Sequence, residues 1–405
     1  MQRCLELAKL GAGYVAPNPL VGAVLVHHDK IIGEGWHQQY GGPHAEVNCI
    51  NSVKEEDKKN ISQSILYVSL EPCAHHGKTP PCTDLILKHK MPKVFIGCHD
   101  PFKEVDGKGI EKLKAAGVEV ELADRLLAYE CKNINKRFFT FHMHQRPYII
   151  LKWAQTGDGK IAAPLNPPQG GALKPDSIKA SLSFEDSEAP PCEVPDPAEK
   201  AGERNECSSG EASRLLISNE YSNRLVHRWR SEEASILVGT NTAMLDDPEL
   251  TTRLWSGPSP VRLVVDMNLR LSASLKIFNT TAKTIIFNTI KQEEKENLIY
   301  YKLEKDKSLV QQMLNALYEL KIQSVLVEGG ATLLQSFIDD GLWDEIRIIH
   351  NYSLNEGDGL DAPTPENAVL VESKELFSDT IETYVPAIEL LTDDSGYKKN
   401  GKYLF

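Results

Sequence analysis

Residues 42–47 read Gly-Pro-His-Ala-Glu-Val, and residues 71–82 read Glu-Pro-Cys-Ala-His-His-Gly-Lys-Thr-Pro-Pro-Cys. The first segment leads into helical spacing over residues 46–53, and the second leads into helical spacing over residues 83–89. Three apolar runs typical of strands accompany them, at 20–26, 65–70 and 93–97. Because strands and helices alternate in this order, the sequence predicts an α/β sandwich.

Four side chains in these two segments can together bind a metal ion and move a proton. His44 offers an imidazole, Cys73 and Cys82 offer thiols, and Glu46 offers a carboxylate. This is the set used by zinc nucleobase deaminases, in which three protein ligands leave one tetrahedral position open for water. Zinc lowers the pKa of that water, and a nearby carboxylate can carry its proton to the departing amine. The sequence therefore predicts zinc ligation by His44, Cys73 and Cys82, with Glu46 as the catalytic residue.

Each of these residues has an ordinary structural alternative when it is considered by itself. A cysteine is often a small buried apolar residue, and a glutamate in a first helical turn often serves the helix dipole. Cys82 directly precedes the helix at 83–89, where the same dipole favours a thiolate. The occurrence of all four groups at two helix starts favours the metal site over the separate alternatives.

A second series of strands and helices follows the first. Strand-like runs occur at 148–151, 236–239, 261–266, 284–287 and 324–328, and helical spacing occurs at 220–230 and 309–320. The domain boundary is predicted near residues 141–147, which gives an N-terminal domain at 1–140 and a C-terminal domain at 147–390. A chain of 405 residues is long enough for two domains with separate cores.

Residues 163–212 differ in composition from the rest of the second series. They contain eight of the 23 prolines of the chain, many Glu, Ser and Gly residues, and few large apolar ones. Such a segment buries too little apolar surface to offset the entropy of ordering it. We expect a disordered insertion here and not a third domain.

Composition and charge limit the classes of molecule that the protein is expected to bind. The formal net charge of −12 gives no general attraction to nucleic acid or to an anionic membrane, and no apolar run is long enough to span a bilayer. The eight cysteines are not spaced like a small disulfide framework and indicate reduced thiols. We therefore expect a cytoplasmic protein with a small-molecule partner; homo-oligomer formation stays open.

The charged run at 54–59 is expected to be a solvated loop.

Residues 325–334 run from an apolar strand through Gly329 and Gly330 into helical spacing. A turn of this kind lets backbone N–H groups and the helix dipole meet a phosphate. The Gly-x-Gly-x-x-Gly spacing of dinucleotide-binding folds is missing, so a plain strand-to-helix turn is the alternative.

The segments at 18–24, 42–47 and 71–82 resemble the bifunctional riboflavin-biosynthesis deaminase/reductases, including the eight residues between the two cysteines. The resemblance implies that Asn18, His37, His76 and Lys78 contact a pyrimidine carrying a ribose phosphate. Lys78 is also suited to an anion on chemical grounds, with a solvated surface lysine as the alternative.

The segment at 236–253, Lys152 and residues 158–160 are similar to the reductase half of the same family, which resembles dihydrofolate reductase. The resemblance implies an N-terminal cytidine-deaminase-like three-layer α/β/α domain and a C-terminal dihydrofolate-reductase-like α/β domain. The implied NADPH contacts are Ala154, Leu216, Thr242, Asp246, Gly330, Ala331, Thr332 and Leu333. The implied contacts to the reductase substrate are Lys152, Arg230, Leu250, Arg253 and Glu328. At 215–218 the chain reads Leu-Leu-Ile-Ser, where the family has a tryptophan before an Ile-Thr pair.

These observations lead to one expected function and two alternatives. The expected function is zinc-dependent deamination of 2,5-diamino-6-ribosylamino-4(3H)-pyrimidinone 5′-phosphate, followed by NADPH-dependent reduction of the ribosyl group to a ribityl group. One alternative is a deaminase whose C-terminal domain only binds substrate. The other is a non-catalytic binding module stabilised by zinc, which normally requires four protein ligands.

Overall fold

A computed structural model describes residues 1–75, 80–162 and 217–387. The described helices are α1 (Gln2–Lys9), α2 (Ala45–Asn51), α3 (Cys82–Lys88), α4 (Lys108–Ala115), α5 (Arg125–Ile134), α6 (Lys136–His144), α7 (Glu220–Glu232), α8 (Thr240–Asp246), α9 (Leu309–Glu319) and α10 (Ala331–Asp339). The described strands are β1 (Gly22–His27), β2 (Lys30–Trp36), β3 (Ile65–Val68), β4 (Lys93–Ile96), β5 (Glu119–Leu122), β6 (Tyr148–Thr156), β7 (Lys160–Ala162), β8 (Ser235–Gly239), β9 (Val261–Val265), β10 (Thr284–Asn288), β11 (Glu293–Lys295), β12 (Leu298–Lys302), β13 (Ser324–Val327), β14 (Glu345–Asn351), β15 (Leu360–Asp361), β16 (Ala368–Leu376) and β17 (Asp379–Pro386).

The N-terminal sheet has the order β2-β1-β3-β4-β5, in which β1 is antiparallel to both neighbours and β3, β4 and β5 are parallel. Helices cover both faces because the strands are apolar on both. On one face Leu25 packs in a cluster with Cys49 of α2 and Ile86 of α3. On the other face Leu5 of α1 packs in a cluster with Cys131 of α5. The expected three-layer α/β/α domain is confirmed.

The C-terminal sheet has ten strands in the order β11-β12-β10-β9-β8-β13-β6-β14-β17-β16. The strands from β12 to β14 in this order are all parallel, and they read as apolar runs because helices cover both faces. The largest buried cluster joins these strands to α9 and α10. In open parallel sheets, ligands bind beyond the carboxyl ends of the strands. The helices on both faces of this parallel sheet confirm the expected α/β class, and the rule makes the carboxyl edge of β6, β13 and β8 the candidate ligand site.

The four helices whose bounds were predicted, α2, α3, α7 and α9, begin and end within two residues of those bounds, and one prediction was wrong. The charged run at 54–59 is largely exposed, as expected for solvated residues, but it lies in a 3-10 helix at Glu55–Gln63 and not in a loop. The predicted insertion at 163–212 lies outside the described residues. No helix in the described ranges combines the length and the apolar character needed to cross a membrane.

Helix α6 joins the two sheets through ion pairs and one aromatic contact. Arg137 donates from Nε to Glu233 at 2.7 Å, and Lys136 pairs with Glu345. The ring of Phe141 lies 4.7 Å from the ring of Tyr318. The N-terminal and C-terminal units therefore contact each other through specific groups.

Candidate active sites

The zinc-ligand candidates meet between two helix starts. The Nδ1 atom of His44 lies 3.6 Å from the Cys73 sulfur and 3.4 Å from the Cys82 sulfur. The three ligand atoms all lie within 4.8 Å of one another. An imidazole nitrogen and two thiol sulfurs at this spacing fit a zinc ion. In the described part of the chain, no fourth His, Cys, Asp or Glu joins the group.

Local backbone structure explains why these residues converge. His44 is the N-cap of α2, in extended conformation, and its carbonyl accepts the first helical hydrogen bond from Asn48. Cys82 is the first residue of α3, and its backbone N–H donates to the Cys73 sulfur at 3.3 Å. The Cys73 sulfur therefore faces a backbone donor at the helix N-terminus, which stabilises its thiolate.

The electrostatics of the group agree with a metal site. Hydrogen bonds from Cys82 and His44 lower the pKa of the Cys73 thiol to about 4, whereas the same hydrogen bond and burial raise the pKa of the Cys82 thiol, so the two sulfurs share one proton. Glu46 lies in the first turn of α2 with only 3% of its surface exposed, and burial raises the pKa of its carboxyl. A buried carboxyl beside the ligands can hold a proton close to the reacting groups.

Asn18 and His37 form a second polar group beside the ligands. The Asn18 side-chain amide donates to His37 Nε2 at 3.0 Å, so the ring proton is assigned to Nδ1, which donates to the Pro43 carbonyl at 3.0 Å. Burial lowers the pKa of His37, which is consistent with a neutral ring. Its ring centre lies 5.5 Å from that of His44. The other two expected substrate contacts, His76 and Lys78, lie outside the described residues, as does Leu216.

Glu71 and Asp100 are candidate site residues that the sequence reasoning missed. The fully buried Glu71 carboxylate accepts backbone hydrogen bonds from Gly107 at 3.1 Å and Gly109 at 3.0 Å, which ties the loop after β4 to the segment carrying Cys73. Asp100 lies in that loop, and burial raises the pKa of its carboxyl to about 7. Glu71 could have been found from its place in the cysteine segment, whereas no sequence signal marks Asp100.

The second site lies at the carboxyl ends of β6, β8 and β13. Gly329 and Gly330 have φ values of 136° and 80°, a region that favours glycine, and Gly330 is the N-cap of α10. A Cβ atom on Gly329 would lie 2.9 Å from Thr242 of α8. The expected NADPH contacts Ala331, Thr332 and Leu333 form the first turn of α10, and Asp246 ends α8. This turn therefore presents backbone N–H groups at a helix N-terminus, which suits a phosphate group.

Three expected substrate contacts meet next to this turn. Arg230 donates from Nε and a terminal nitrogen to the two Glu328 oxygens, at 2.9 and 2.7 Å. Lys152 on β6 is near both, and burial lowers the pKa of its ammonium group. The Arg230 guanidinium, one of the expected substrate contacts, is thus already paired with Glu328. Ala154 lies two residues beyond Lys152 along β6.

Leu250 and Arg253 lie on the loop after α8. Leu250 is 3% exposed and has a φ of 55°, which is unusual for a branched residue and marks a position set by its surroundings. The Arg253 side chain is half exposed and pairs with Glu249 at 2.6 Å. Its backbone N–H donates to His227, whose pKa is lowered to about 4 by burial and by the nearby arginines. His227 was missed, although it lies one helical turn before Arg230 on α7.

Comparisons with known proteins point to the same pair of activities. Residues 1–98 match the family model of the cytidine and deoxycytidylate deaminase zinc-binding region, and residues 198–352 match the RibD C-terminal domain. The riboflavin biosynthesis protein RibD of Aquifex aeolicus is 36% identical over 86% of this chain and 85% of its own length. That of Actinobacillus pleuropneumoniae is 34% identical over 87% of this chain and 82% of its own.

A solved structure with a similar fold comes from Thermotoga maritima. It is described as a diaminohydroxyphosphoribosylaminopyrimidine deaminase/5-amino-6-(5-phosphoribosylamino)uracil reductase. It is 33% identical in sequence, with a TM-score of 0.75, and the match covers 95% of this chain and 97% of that one. The likeness therefore extends over both sheets.

Proposed function

This chain belongs to the riboflavin biosynthesis protein RibD family, and from that premise we infer the roles of its individual residues. It is a bifunctional enzyme with a zinc-binding deaminase domain and an NADPH-dependent reductase domain. It deaminates 2,5-diamino-6-ribosylamino-4(3H)-pyrimidinone 5′-phosphate and then reduces the ribosyl group to a ribityl group. The observation that carries the proposal for the first step is the His44, Cys73 and Cys82 group with buried Glu46 beside it.

In the deaminase site, we propose that His44, Cys73 and Cys82 hold zinc and that Glu46 moves the proton. Zinc supplies Lewis-acid activation of the attacking water. Glu46 accepts the proton of that water and delivers it to the departing amine, which leaves as ammonia. Asn18 and His37 hold the pyrimidine, and their mutual hydrogen bond fixes which of their atoms face it.

In the reductase site, we propose that the turn at 329–333 and Thr242 hold NADPH. The positive φ values at Gly329 and Gly330 support this, because they open the backbone to close approach by a phosphate. NADPH supplies the hydride that reduces the ring-opened ribose carbon. Lys152 and the Arg230–Glu328 pair orient the substrate, so that the contribution of the chain is mainly positioning.

Family membership and the composition of the sites also support a substrate class and a cellular compartment for this protein. The partner is a small phosphorylated pyrimidine, and we propose a cytoplasmic location. None of the six cysteines in the described ranges forms a disulfide, which supports a reducing compartment. A three-residue ligand group also favours a catalytic zinc over a closed structural zinc, since structural sites normally have four protein ligands.

The direct test is to incubate zinc-loaded protein with the diaminopyrimidine phosphate, with and without NADPH, and to identify the products by mass spectrometry. Without NADPH we expect the product in which one amino group is exchanged for oxygen. With NADPH we expect that product to gain two hydrogens on its ribosyl group. Absence of the deaminated product would contradict the first step, and deamination without any NADPH-dependent reduction would favour a C-terminal domain that only binds substrate.

A further inference from the structure

We infer that the reductase domain positions the substrate loop of the deaminase site, through the side chain of Gln323. The loop in question comprises residues 11–18 and ends on Asn18. This inference rests on the proposed role of Asn18 in binding the pyrimidine. It makes Gln323 a positioning residue for a reaction that takes place in the other domain.

The contact is short, and its donor residue is buried. The Gln323 side-chain amide donates to the Pro17 carbonyl at 2.7 Å, and Gln323 is only 5% exposed. The backbone carbonyl of Gln323 accepts from the N–H of Tyr148 at 2.9 Å, where β13 and β6 begin to pair. The donor is therefore held by the central strands of the reductase sheet, which makes it a rigid support.

A second contact holds the other end of the loop. Gly13 has a φ of 83°, and a Cβ atom there would lie 2.6 Å from the carbonyl oxygen of Ser231 near the end of α7. The backbone of Gly13 thus rests directly on the reductase domain, at a distance that no other residue type allows. Between these two points the loop has little freedom to move.

The loop is linked to the zinc-ligand group by a chain of hydrogen bonds. Asn18 follows Pro17 directly, and its backbone N–H donates to the Val15 carbonyl at 2.9 Å. Its side-chain amide donates to His37, and His37 donates to the carbonyl of Pro43, the residue before the ligand His44. A displacement of Pro17 therefore displaces the Asn18 amide and weakens its bond to His37.

Gln323 is far from the reductase chemistry, although it belongs to that domain. It precedes β13, whereas Glu328 follows the same strand. Five residues of extended chain span roughly 16 Å. A substitution at Gln323 can therefore affect the deaminase site and leave the NADPH turn and the Arg230–Glu328 pair in place.

The test is Gln323→Met in the full-length zinc-loaded enzyme, because methionine keeps the length and burial of the side chain and removes the donor. We expect the KM for deamination to rise about 5- to 10-fold, as for loss of one buried hydrogen bond. The kcat should stay within about twofold, since Asn18 contributes binding that is uniform along the reaction. Zinc content and reduction of the supplied deaminated pyrimidine should be unchanged.

Two comparisons sharpen the test. Gln312→Met is the matched control, because the Gln312 amide donates at 2.9 Å to the Glu304 carbonyl within the reductase domain; it should leave both KM values unchanged. Combining Gln323→Met with Asn18→Ala should raise KM no further than Asn18→Ala alone, since coupled residues are not additive. Gly13→Ala, which disturbs the other contact, should also raise the deaminase KM.

Three results would overturn the inference: an unchanged deaminase KM in Gln323→Met, additive effects with Asn18→Ala, or a parallel loss of reduction. Failure of the proposed function is a different result. The unsubstituted enzyme would then not deaminate the diaminopyrimidine phosphate at all.

Discussion

The two sites of this protein are built in different ways. The proposed deaminase site consists of side chains of uncommon type, one imidazole, two thiols and a buried carboxyl, carried by two helix starts. The proposed reductase site consists mainly of a backbone turn at Gly329 and Gly330 and of the paired side chains Arg230 and Glu328. A site made of side-chain chemistry depends on residue identity, whereas a site made of backbone depends on conformation. Substitutions should therefore affect the two sites by different mechanisms.

The largest effect is expected from removing a metal ligand. Cys82→Ala should lower deamination by about 10³-fold or more, because Lewis-acid activation of water is lost. The bound zinc measured by elemental analysis should fall, while NADPH-dependent reduction stays. Cys98→Ala is the matched control, since Cys98 is equally buried in the same domain but is not part of the ligand group. Normal deamination by Cys82→Ala would exclude Cys82 as a ligand.

The proposed proton carrier should have the next largest effect. Glu46→Gln should reduce the kcat of deamination by about 10²-fold or more, the contribution of general acid–base catalysis. Zinc content and reductase activity should persist, because Glu46 is not a ligand in this proposal. Glu111→Gln is a suitable control, since Glu111 also lies in the first turn of a helix of this domain but is exposed. Near-normal turnover in Glu46→Gln would remove its assigned role.

At the proposed reductase site, the informative substitution is one that changes the backbone conformation of the turn at Gly329 and Gly330. Gly330→Val should raise the KM for NADPH about 10-fold or more, because a branched residue at a φ of 80° is strained and blocks backbone approach to phosphate. Gly341→Val tests strain alone, since Gly341 has a φ of 62° and a Cβ atom there would point into open space. Steady-state kinetics with the deaminated pyrimidine give both values. An equal effect of the two substitutions would mean that strain, and not phosphate contact, explains the result.

The smallest effect is expected from deleting residues 164–209. Their composition offers no core to lose, and shortening a long connection changes closure entropy little. Both activities should persist, and the Tm should shift by no more than about 2 °C, which for a domain of this size corresponds to a change of at most about 1 kcal/mol. Differential scanning calorimetry checks this. A large fall in Tm would show that the segment packs against the domain.

The difference between the sites also explains what the sequence could predict. The sequence predicted the proposed deaminase residues, because their types and their positions at helix starts indicate the chemistry; they are His44, Cys73, Cys82 and Glu46. Parallel strands such as β13 could be predicted because they are continuous apolar runs. The positive φ values at Gly329 and Gly330 could not be predicted firmly, since an ordinary strand-to-helix turn can contain the same two glycines.

Hydrogen-bonded pairs of residues far apart in the sequence could not be predicted from it. Arg230 and Glu328 lie 98 positions apart, and Gln323 and Pro17 lie 306 positions apart. No local pattern links such residues, because the contacts arise only when α7 packs on β13 and when the two sheets meet. His227 and Asp100 were missed for a related reason, since burial in the folded chain is what shifts their pKa values.

The central claim is that one chain carries two chemically separate sites, and zinc removal tests it most directly. The enzyme is treated with a zinc chelator and assayed for deamination of the diaminopyrimidine phosphate and, separately, for NADPH oxidation with the deaminated pyrimidine supplied. Supplying that intermediate matters because a blocked first step would otherwise resemble an inactive reductase. We expect deamination to stop and to return when zinc is restored, with NADPH oxidation unchanged throughout. Loss of NADPH oxidation on chelation, with recovery on adding zinc, would contradict the two-site assignment and would give the metal a role in both reactions or in the fold.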